Sequence, residues 1–185
     1  KTTTTSMLSQ ILLAGDLDPT ISVGGILPSI GGNIRVGDSD LFVTEACEYT
    51  NSFLHFLPKI SIILNIDADH LDFFKDLDDI RSSFRRFAQL LPSDGALIIN
   101  GNIPDLEGFT EGLPCQVISY GMDSSFDYAA VNLSYGTDGT VSFDFIKEGI
   151  FVDRISLSVN GEHNVQNALA SLAVADLLHL PLEIS

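Results

Sequence analysis

Apolar residues recur at helical spacing in three parts of the chain. The first is residues 2–14, which Gly15 follows as a stop signal, and the second is residues 76–91, which Pro92 follows. A third segment, rich in Ala and Leu, covers residues 164–179. The pattern therefore predicts one helix at each end of the chain and one in the middle.

Short apolar runs lie between these helices. They show little of the apolar–polar alternation of a half-exposed strand, which is typical of strands that are covered on both faces of a parallel sheet. The runs are residues 21–25, 41–45, 59–66 and 96–100. Because such runs and helices follow one another along the chain, the sequence predicts an α/β fold with helical crossovers.

The pattern changes after residue 100. Four segments rich in β-forming residues follow, joined by short turns, and Asp138-Gly139 and Glu148-Gly149 suit hairpins. These segments are residues 116–121, 128–135, 140–147 and 151–159. The sequence thus predicts a mostly parallel sheet flanked by helices, with a small antiparallel sheet appended to it.

Composition limits the classes of function. Twenty-five Asp and Glu against nine Lys and Arg give a formal charge of −16, which repels a phosphate backbone and argues against nucleic-acid binding. A single nucleotide is still compatible, since one phosphate-binding loop and a metal create a local positive site. No apolar run approaches the ~20 residues that cross a bilayer, and Cys47 and Cys115 lack metal-site spacing. We therefore expect a cytoplasmic protein that binds neither nucleic acid nor membrane.

Two candidate sites lie near the start of the chain. Lys1 and Thr2 open the first helix, as in a phosphate-binding loop, where lysine contacts phosphates and the hydroxyl binds Mg²⁺. A polar helix start explains the same residues. Glu45 ends the second apolar run, and a carboxylate at the end of such a strand can hold Mg²⁺. Acids at strand ends also serve solubility, so neither feature alone assigns a function.

Two further polar segments follow. Residues 65–72, Asn-Ile-Asp-Ala-Asp-His-Leu-Asp, gather three aspartates and His70 beside a buried strand. A ligand or metal site and a solvated loop with a helix N-cap both fit this segment. Residues 161–168, Gly-Glu-His-Asn-Val-Gln-Asn-Ala, place Asn164 and Asn167 on one helix face. Amides can hold the edge of a base such as adenine, although N-capping by Asn164 explains the residue equally well.

In this order, the four segments resemble the motifs of the Mur ligase family. Residues 1–4, Lys-Thr-Thr-Thr, match the end of its Gly-Thr-His-Gly-Lys-Thr-Thr-Thr loop, and residues 45–54 match its acidic motif. Residues 65–72 resemble Asn-Ile-Glu-Ala-Asp-His-Met-Asp, and residues 161–168 resemble Gly-x-His-Asn-x-x-Asn-Ala. The resemblance extends over essentially the whole chain. It implies an ATP-binding domain built on a P-loop-type sheet.

The resemblance is greatest to the alanine-adding members, which implies ATP-dependent amide formation in peptidoglycan precursor synthesis. ATP would phosphorylate the lactyl carboxylate of UDP-N-acetylmuramate, and the amine of L-alanine would then displace phosphate from the acyl phosphate. Three alternatives stay open. They are a ligase that attaches whole peptides to the same sugar nucleotide, a folate-polyglutamating ligase, and a non-catalytic domain that has kept the fold.

The resemblance also implies roles at the phosphate end of the site. Lys1, Thr2 and Thr3 would bind ATP, with Lys1 acting in catalysis at the phosphates. Thr2 and Glu45 would bind one Mg²⁺. His70 would serve a second metal and act in catalysis beside the reacting carboxylate.

Two further groups follow from the resemblance. His163, Asn164 and Asn167 would hold the adenine of ATP. Asn33, in a Gly-rich loop after the first strand, would face the muramyl substrate.

The chain departs from the family pattern in its acidic motif. The usual Glu-Ala-Asp-Glu-Ser-Asp is Glu-Ala-Cys-Glu-Tyr-Thr at residues 45–50, which keeps Glu45. We expect residues 1–185 to be the central domain, cut at the N-terminal side of the phosphate loop. The loop glycines, the strand before them, the domain that grips UDP and the domain that brings the amino acid would lie outside it. We therefore expect no ligase turnover from these residues alone.

Overall fold

The computed structural model describes residues 1–181. Its α-helices are α1 (Thr2–Ala14), α2 (Leu77–Ala88), α3 (Leu106–Thr110) and α4 (Glu162–Leu177). Its strands are β1 (Thr20–Leu27), β2 (Gly32–Arg35), β3 (Phe42–Thr44), β4 (Ile60–Ile63), β5 (Ala96–Asn100), β6 (Gln116–Gly121), β7 (Tyr128–Tyr135), β8 (Val141–Lys147) and β9 (Ile150–Leu157). Two short 3₁₀ helices lie at Pro28–Ile30 and Tyr49–His55. Within the described part of the chain, no helix is both long and apolar enough to cross a membrane.

The strands form two sheets. The larger has the order β4-β5-β6-β7-β8-β9, with parallel pairing from β4 to β7 and antiparallel pairing from β7 to β9. The smaller has the order β2-β1-β3, in which β1 is parallel to β3 and antiparallel to β2. The predicted α/β fold is confirmed, and the antiparallel strands continue the parallel sheet as its last three members.

Strand β6 corrects one detail of the prediction. The sequence grouped it with the antiparallel strands, but it pairs in parallel with β5, for example Ile118 opposite Ile98. The reason is α3, a crossover of five residues between β5 and β6, which is too short to show helical periodicity in the sequence.

Both faces of the larger sheet are covered. On one face Ile98 packs in a core with Leu12 of α1 and Leu169 of α4. On the other face Leu97 packs with Phe87 of α2. Every residue of β5 is buried, which explains why its sequence lacks apolar–polar alternation.

A groove separates the two sheets. Its volume is about 720 Å³, and residues 40–46 around β3 and residues 56–65 around β4 line it. Leu12 of α1, Val174 of α4 and Phe87 of α2 also contribute to the lining. Among the described residues, neither β3 nor β4 pairs with a strand on its groove side, so two sheet edges face the same space. We call this space the inter-sheet groove.

Asp176 of α4 joins the helix to the antiparallel strands. Its carboxylate accepts hydrogen bonds from the Tyr128 hydroxyl at 2.5 Å and from Lys147 Nζ at 2.9 Å. Burial favours the neutral acid, but the bonds from Lys147 and Tyr128 outweigh it and lower the pKa of Asp176 below its ordinary value. The interaction therefore stabilises the fold above the pKa of the unfolded state and is lost as the pH falls through the folded-state pKa.

We expect Asp176→Asn to lower the free energy of unfolding by about 1 kcal/mol at neutral pH, since the carboxylate is partly exposed. The difference from wild type should shrink as the pH becomes acidic. Urea unfolding over a pH series measures it, with Asp153→Asn on exposed β9 as the control. A loss of the same size at every pH would contradict this assignment.

Candidate functional site

Three segments that are distant in sequence meet at the inter-sheet groove. Lys1 precedes α1, Glu45 follows β3, and residues 65–70 follow β4. Side chains from all three line the groove, among them Lys1, Glu45, Glu48 and His70. The structure thus brings Lys1, Glu45 and His70 together, as the sequence motifs require.

Glu48 lies between Lys1 and His70. Its Oε2 accepts a hydrogen bond from Lys1 Nζ, and its Oε1 lies 3.6 Å from His70 Nε2. The same His70 nitrogen lies 3.8 Å from Asp69 Oδ2. One carboxylate therefore contacts both the lysine and the histidine to which the motifs assign catalysis. Glu48 belongs to the acidic motif, but sequence analysis gave it no role.

Glu45 links β1 to the start of α1 through two hydrogen bonds. Its Oε1 accepts a hydrogen bond from the backbone N–H of Gly24 at 2.6 Å, and its Oε2 accepts one from the Thr2 hydroxyl at 3.1 Å. A Cβ atom at position 24 would lie 3.0 Å from Glu45 Oε1, so glycine allows this close approach. The predicted pair of Thr2 and Glu45 is therefore in contact.

The Glu48 carboxylate stays ionised although it is largely shielded from solvent. Burial favours the neutral acid, but the hydrogen bond from Lys1, together with the charges of Lys1 and His70, lowers the pKa of Glu48 below its ordinary value. Its side chain is only 14% exposed. A shielded carboxylate that remains ionised is suited to hold a cation.

The residues present fit a divalent cation. Glu48, Asp69 and His70 each offer one ligand atom, and these atoms lie within 4.8 Å of one another. Thr2 and Glu45 supply a hydroxyl and a third carboxylate, and Glu45 lines the same groove. Mg²⁺ prefers oxygen ligands, takes one or two carboxylates, and completes its shell with water and substrate phosphates. The carboxylates suit that pattern and also suit Mn²⁺, whereas an imidazole suits Zn²⁺.

The backbone around these ligands is strained. His70 has φ 53°, and Thr50 and Asn51, just after Glu48, have φ 54° and 59°. Left-handed conformations of residues other than glycine cost free energy and cluster at functional sites. The Ser83 hydroxyl of α2 donates to Asn51 Oδ1, which ties the strained segment to the core.

The asparagines of α4 connect to the phosphate end of the site. Asn164 is buried; its Oδ1 accepts from Asn167 Nδ2 at 3.0 Å, and its Nδ2 donates to the carbonyl of Asn160 at 2.7 Å. Asn167 Oδ1 accepts from the Thr4 hydroxyl of α1 at 2.9 Å. The Asn167 amide therefore links α4 to α1, and Asn164 supports it from the start of α4, a packing role that the motif alone does not indicate.

His163 is exposed in the first turn of α4. It packs against Gly161, where a Cβ atom would lie 2.7 Å from the imidazole Cε1. Gly161 has φ 99°, which other residues rarely adopt. Glycine is thus required at this position both for the backbone conformation and for the histidine ring.

Asn33 and Thr3 lie at the margin of this arrangement. Asn33 is exposed on β2, which is separated from β3 by β1. Thr3 is exposed in the first turn of α1. Within residues 1–181, neither side chain hydrogen-bonds to Lys1, Glu45 or His70, so their roles stay predictions.

Residues 1–175 match the Mur ligase middle domain family, and the chain belongs to that family. It is 56% identical, over 183 residues, to the UDP-N-acetylmuramate–L-alanine ligase of Agathobacter rectalis, covering 99% of this chain and 40% of that protein. The crystal structure of UDP-N-acetylmuramate-alanine ligase MurC from Thermotoga maritima matches with a TM-score of 0.84 at 29% identity, covering 100% of this chain and 40% of that one.

A second structure fits equally well. It is the UDP-N-acetylmuramate:L-alanyl-gamma-D-glutamyl-meso-diaminopimelate ligase from Neisseria meningitides, with a TM-score of 0.84 at 28% identity. The match covers 97% of this chain and 59% of that one. The present chain spans about 40% of the length of the curated relatives it matches.

Proposed function

We propose that this chain is the central domain of a cytoplasmic ligase that uses ATP and Mg²⁺ to join L-alanine to UDP-N-acetylmuramate. The observation that carries the proposal is the meeting of Lys1, Glu45, Glu48 and His70 at one groove. Thr2 joins them through its hydrogen bond to Glu45. Identity to a relative named for this reaction supports it.

The domain organisation is part of the proposal. Domains that grip UDP and bring the amino acid lie outside residues 1–185, consistent with the greater length of the relatives. The inter-sheet groove supports one further element, because β3 and β4 both face it with a sheet edge. We infer that a strand leading into the phosphate loop before Lys1 pairs with both edges and joins the two sheets.

Catalysis by such a site depends mainly on position and charge. The lactyl carboxylate attacks the terminal phosphorus of ATP, ADP leaves, and the amine of L-alanine then attacks the acyl carbon and releases phosphate. Each step brings anions together or creates charge, so aligned reactants and nearby cations lower the barrier. Thr2 and Glu45 would hold one Mg²⁺ and the Glu48–His70 pair a second cation, and these cations would supply part of that positive charge.

The protein itself supplies the rest of the positive charge. The first N–H groups of α1 lack partners within the helix and point to where phosphates bind. The Lys1 ammonium stabilises the negative charge that develops on the transferred phosphoryl group. Glu48 holds that ammonium beside His70 before ATP arrives, and Thr3 lies in the same helical turn.

The adenine and the muramyl group bind at the ends of this arrangement. His163 is exposed and can stack on the base, while the amides of Asn164 and Asn167 contact its edge. Through the bond from Thr4 to Asn167, the base contact is coupled to α1. Asn33 faces the muramyl substrate from β2.

A peptide-adding ligase is the second candidate, because the Neisseria structure fits this chain as well as the Thermotoga structure does. Competition in the full-length protein distinguishes the two. With UDP-N-acetylmuramate and ATP, we expect kcat/KM for L-alanine to exceed that for L-alanyl-γ-D-glutamyl-meso-diaminopimelate by at least about 100-fold. Preference for the tripeptide would establish the second candidate instead. Residues 1–185 alone should give no turnover.

A further inference from the structure

Tyr49 makes three contacts beside His70. Its ring centroid lies 4.8 Å from that of the imidazole, with the planes inclined by 35°. Its hydroxyl donates to Asp72 Oδ2 at 2.9 Å, and its ring meets Phe73 edge-on at 6.0 Å. The tyrosine thus contacts the histidine and two residues that follow it in the chain.

The orientation of His70 needs such support. Its side chain is 33% exposed, and its backbone has the uncommon φ of 53°. Its contacts to carboxylates, 3.6 Å to Glu48 and 3.8 Å to Asp69, are too long to be firm hydrogen bonds. Without a packing partner, the imidazole would rotate among several rotamers, and Nε2 would face the carboxylates only part of the time.

Tyr49 is itself held in place. It follows Glu48 directly and precedes Thr50 and Asn51, whose left-handed conformations turn the chain. Asn51 is fixed to α2 through Ser83, and the tyrosine hydroxyl is fixed to Asp72. These contacts fix the position of the ring, and the imidazole stacks against it.

We propose that Tyr49 is a positioning residue: its ring, stacked on the His70 imidazole, holds the imidazole so that Nε2 points to Glu48 and Asp69. This inference rests on the proposed function, in which His70 serves a divalent cation. Tyr49 acts only through His70 and contacts no substrate.

The first test is spectroscopic and uses full-length protein without nucleotide or metal. A ring stacked at this distance shifts the ring protons of His70 upfield. We expect ¹³C-histidine NMR to show these resonances moving downfield in Tyr49→Leu, at a pH at which the imidazole is neutral. Tyr49→Phe, which keeps the ring, should leave them near their wild-type positions. Unchanged resonances in Tyr49→Leu would overturn the proposal.

The second test measures cation affinity directly. With ATP present, Mn²⁺ binding followed by electron paramagnetic resonance should weaken about 3- to 10-fold in Tyr49→Leu and less than about 2-fold in Tyr49→Phe. Phe151→Leu, which removes an exposed aromatic ring on β9, should bind as wild type. Equal affinity in Tyr49→Leu and wild type would overturn the positioning role, as would a wild-type protein that binds no Mn²⁺.

The proposal can still be tested if a variant does not fold, and its outcome can be distinguished from that of the proposed function. If Tyr49→Leu does not fold, nuclear Overhauser contacts between the Tyr49 and His70 rings in wild type decide the question, and their absence contradicts the stack. Neither test requires turnover. A protein that shows both effects but forms no amide would refute the proposed function while supporting the positioning of His70 by Tyr49.

Discussion

Replacing Lys1 by alanine in the full-length ligase is expected to lower kcat by about 10²- to 10³-fold. Lys1 is the cation at the start of α1, and its Nζ already lies at the groove, paired with Glu48. In the proposed function the ammonium stabilises charge that develops on the transferred phosphoryl group, so its loss should affect kcat more than the KM for L-alanine. Initial-rate measurements of phosphate release determine both constants.

The control for this variant is Lys75→Ala. Lys75 has a side chain that is 87% exposed and contacts only the neighbouring Asp76 among charged groups in residues 1–181. The control should retain wild-type kcat and KM. If Lys1→Ala kept kcat within about 3-fold of wild type, Lys1 would not be at the phosphates, and the match to a phosphate loop would carry no function.

Glu48→Gln should lower kcat/KM by about 10- to 100-fold and raise the Mg²⁺ concentration needed for half-maximal rate. Glutamine keeps the shape of the side chain but removes the charge that pairs with Lys1 and faces His70. Lys1 and His70 then both lose the carboxylate that they contact. The contribution of Lys1 at the phosphates and that of His70 at the metal should therefore weaken together. Rates measured over a series of Mg²⁺ concentrations test this.

Glu107→Gln, on the exposed surface of α3, provides a matched change of charge and should have no effect. The double variant Lys1→Ala, Glu48→Gln adds a second criterion. Residues in contact give non-additive effects, so we expect it to lose much less activity than the product of the two single losses. Additive losses would show that the two side chains act independently, contrary to their contact in the structure.

The fold follows from the sequence where an element is long or is buried on both faces. Helix α2 shows clear periodicity, α1 has its apolar residues on one side, α4 is rich in Ala and Leu, and β5 is a continuous apolar run. The sequence did not predict β2 or α3, because four or five residues are too few to establish a period. It also did not predict the order of strands, since β6 pairs with β5 through contacts between distant residues.

The sequence motifs suggested most residues of the candidate site, but they did not predict how the side chains are arranged in space. Lys1, Glu45 and His70 were each suggested by residue type and position beside a strand or helix. Glu48 was not given a role, because only the folded chain places its carboxylate between Lys1 and His70. Tyr49 was noted only as a departure from the family pattern, and its stack on His70 depends on the strained turn at residues 50–51.

The central claim is that these converging side chains form a site at which a carboxylate is activated by phosphoryl transfer. Following the carboxylate oxygen tests this most directly. Full-length protein would be given UDP-N-acetylmuramate labelled with ¹⁸O in its lactyl carboxylate, together with L-alanine and Mg-ATP, and the phosphate released would be analysed by mass spectrometry. We predict one ¹⁸O atom in each phosphate formed, and in Lys1→Ala we expect the labelled phosphate and the amide both to form about 10²- to 10³-fold more slowly. Amide formation that leaves the phosphate unlabelled would contradict the account.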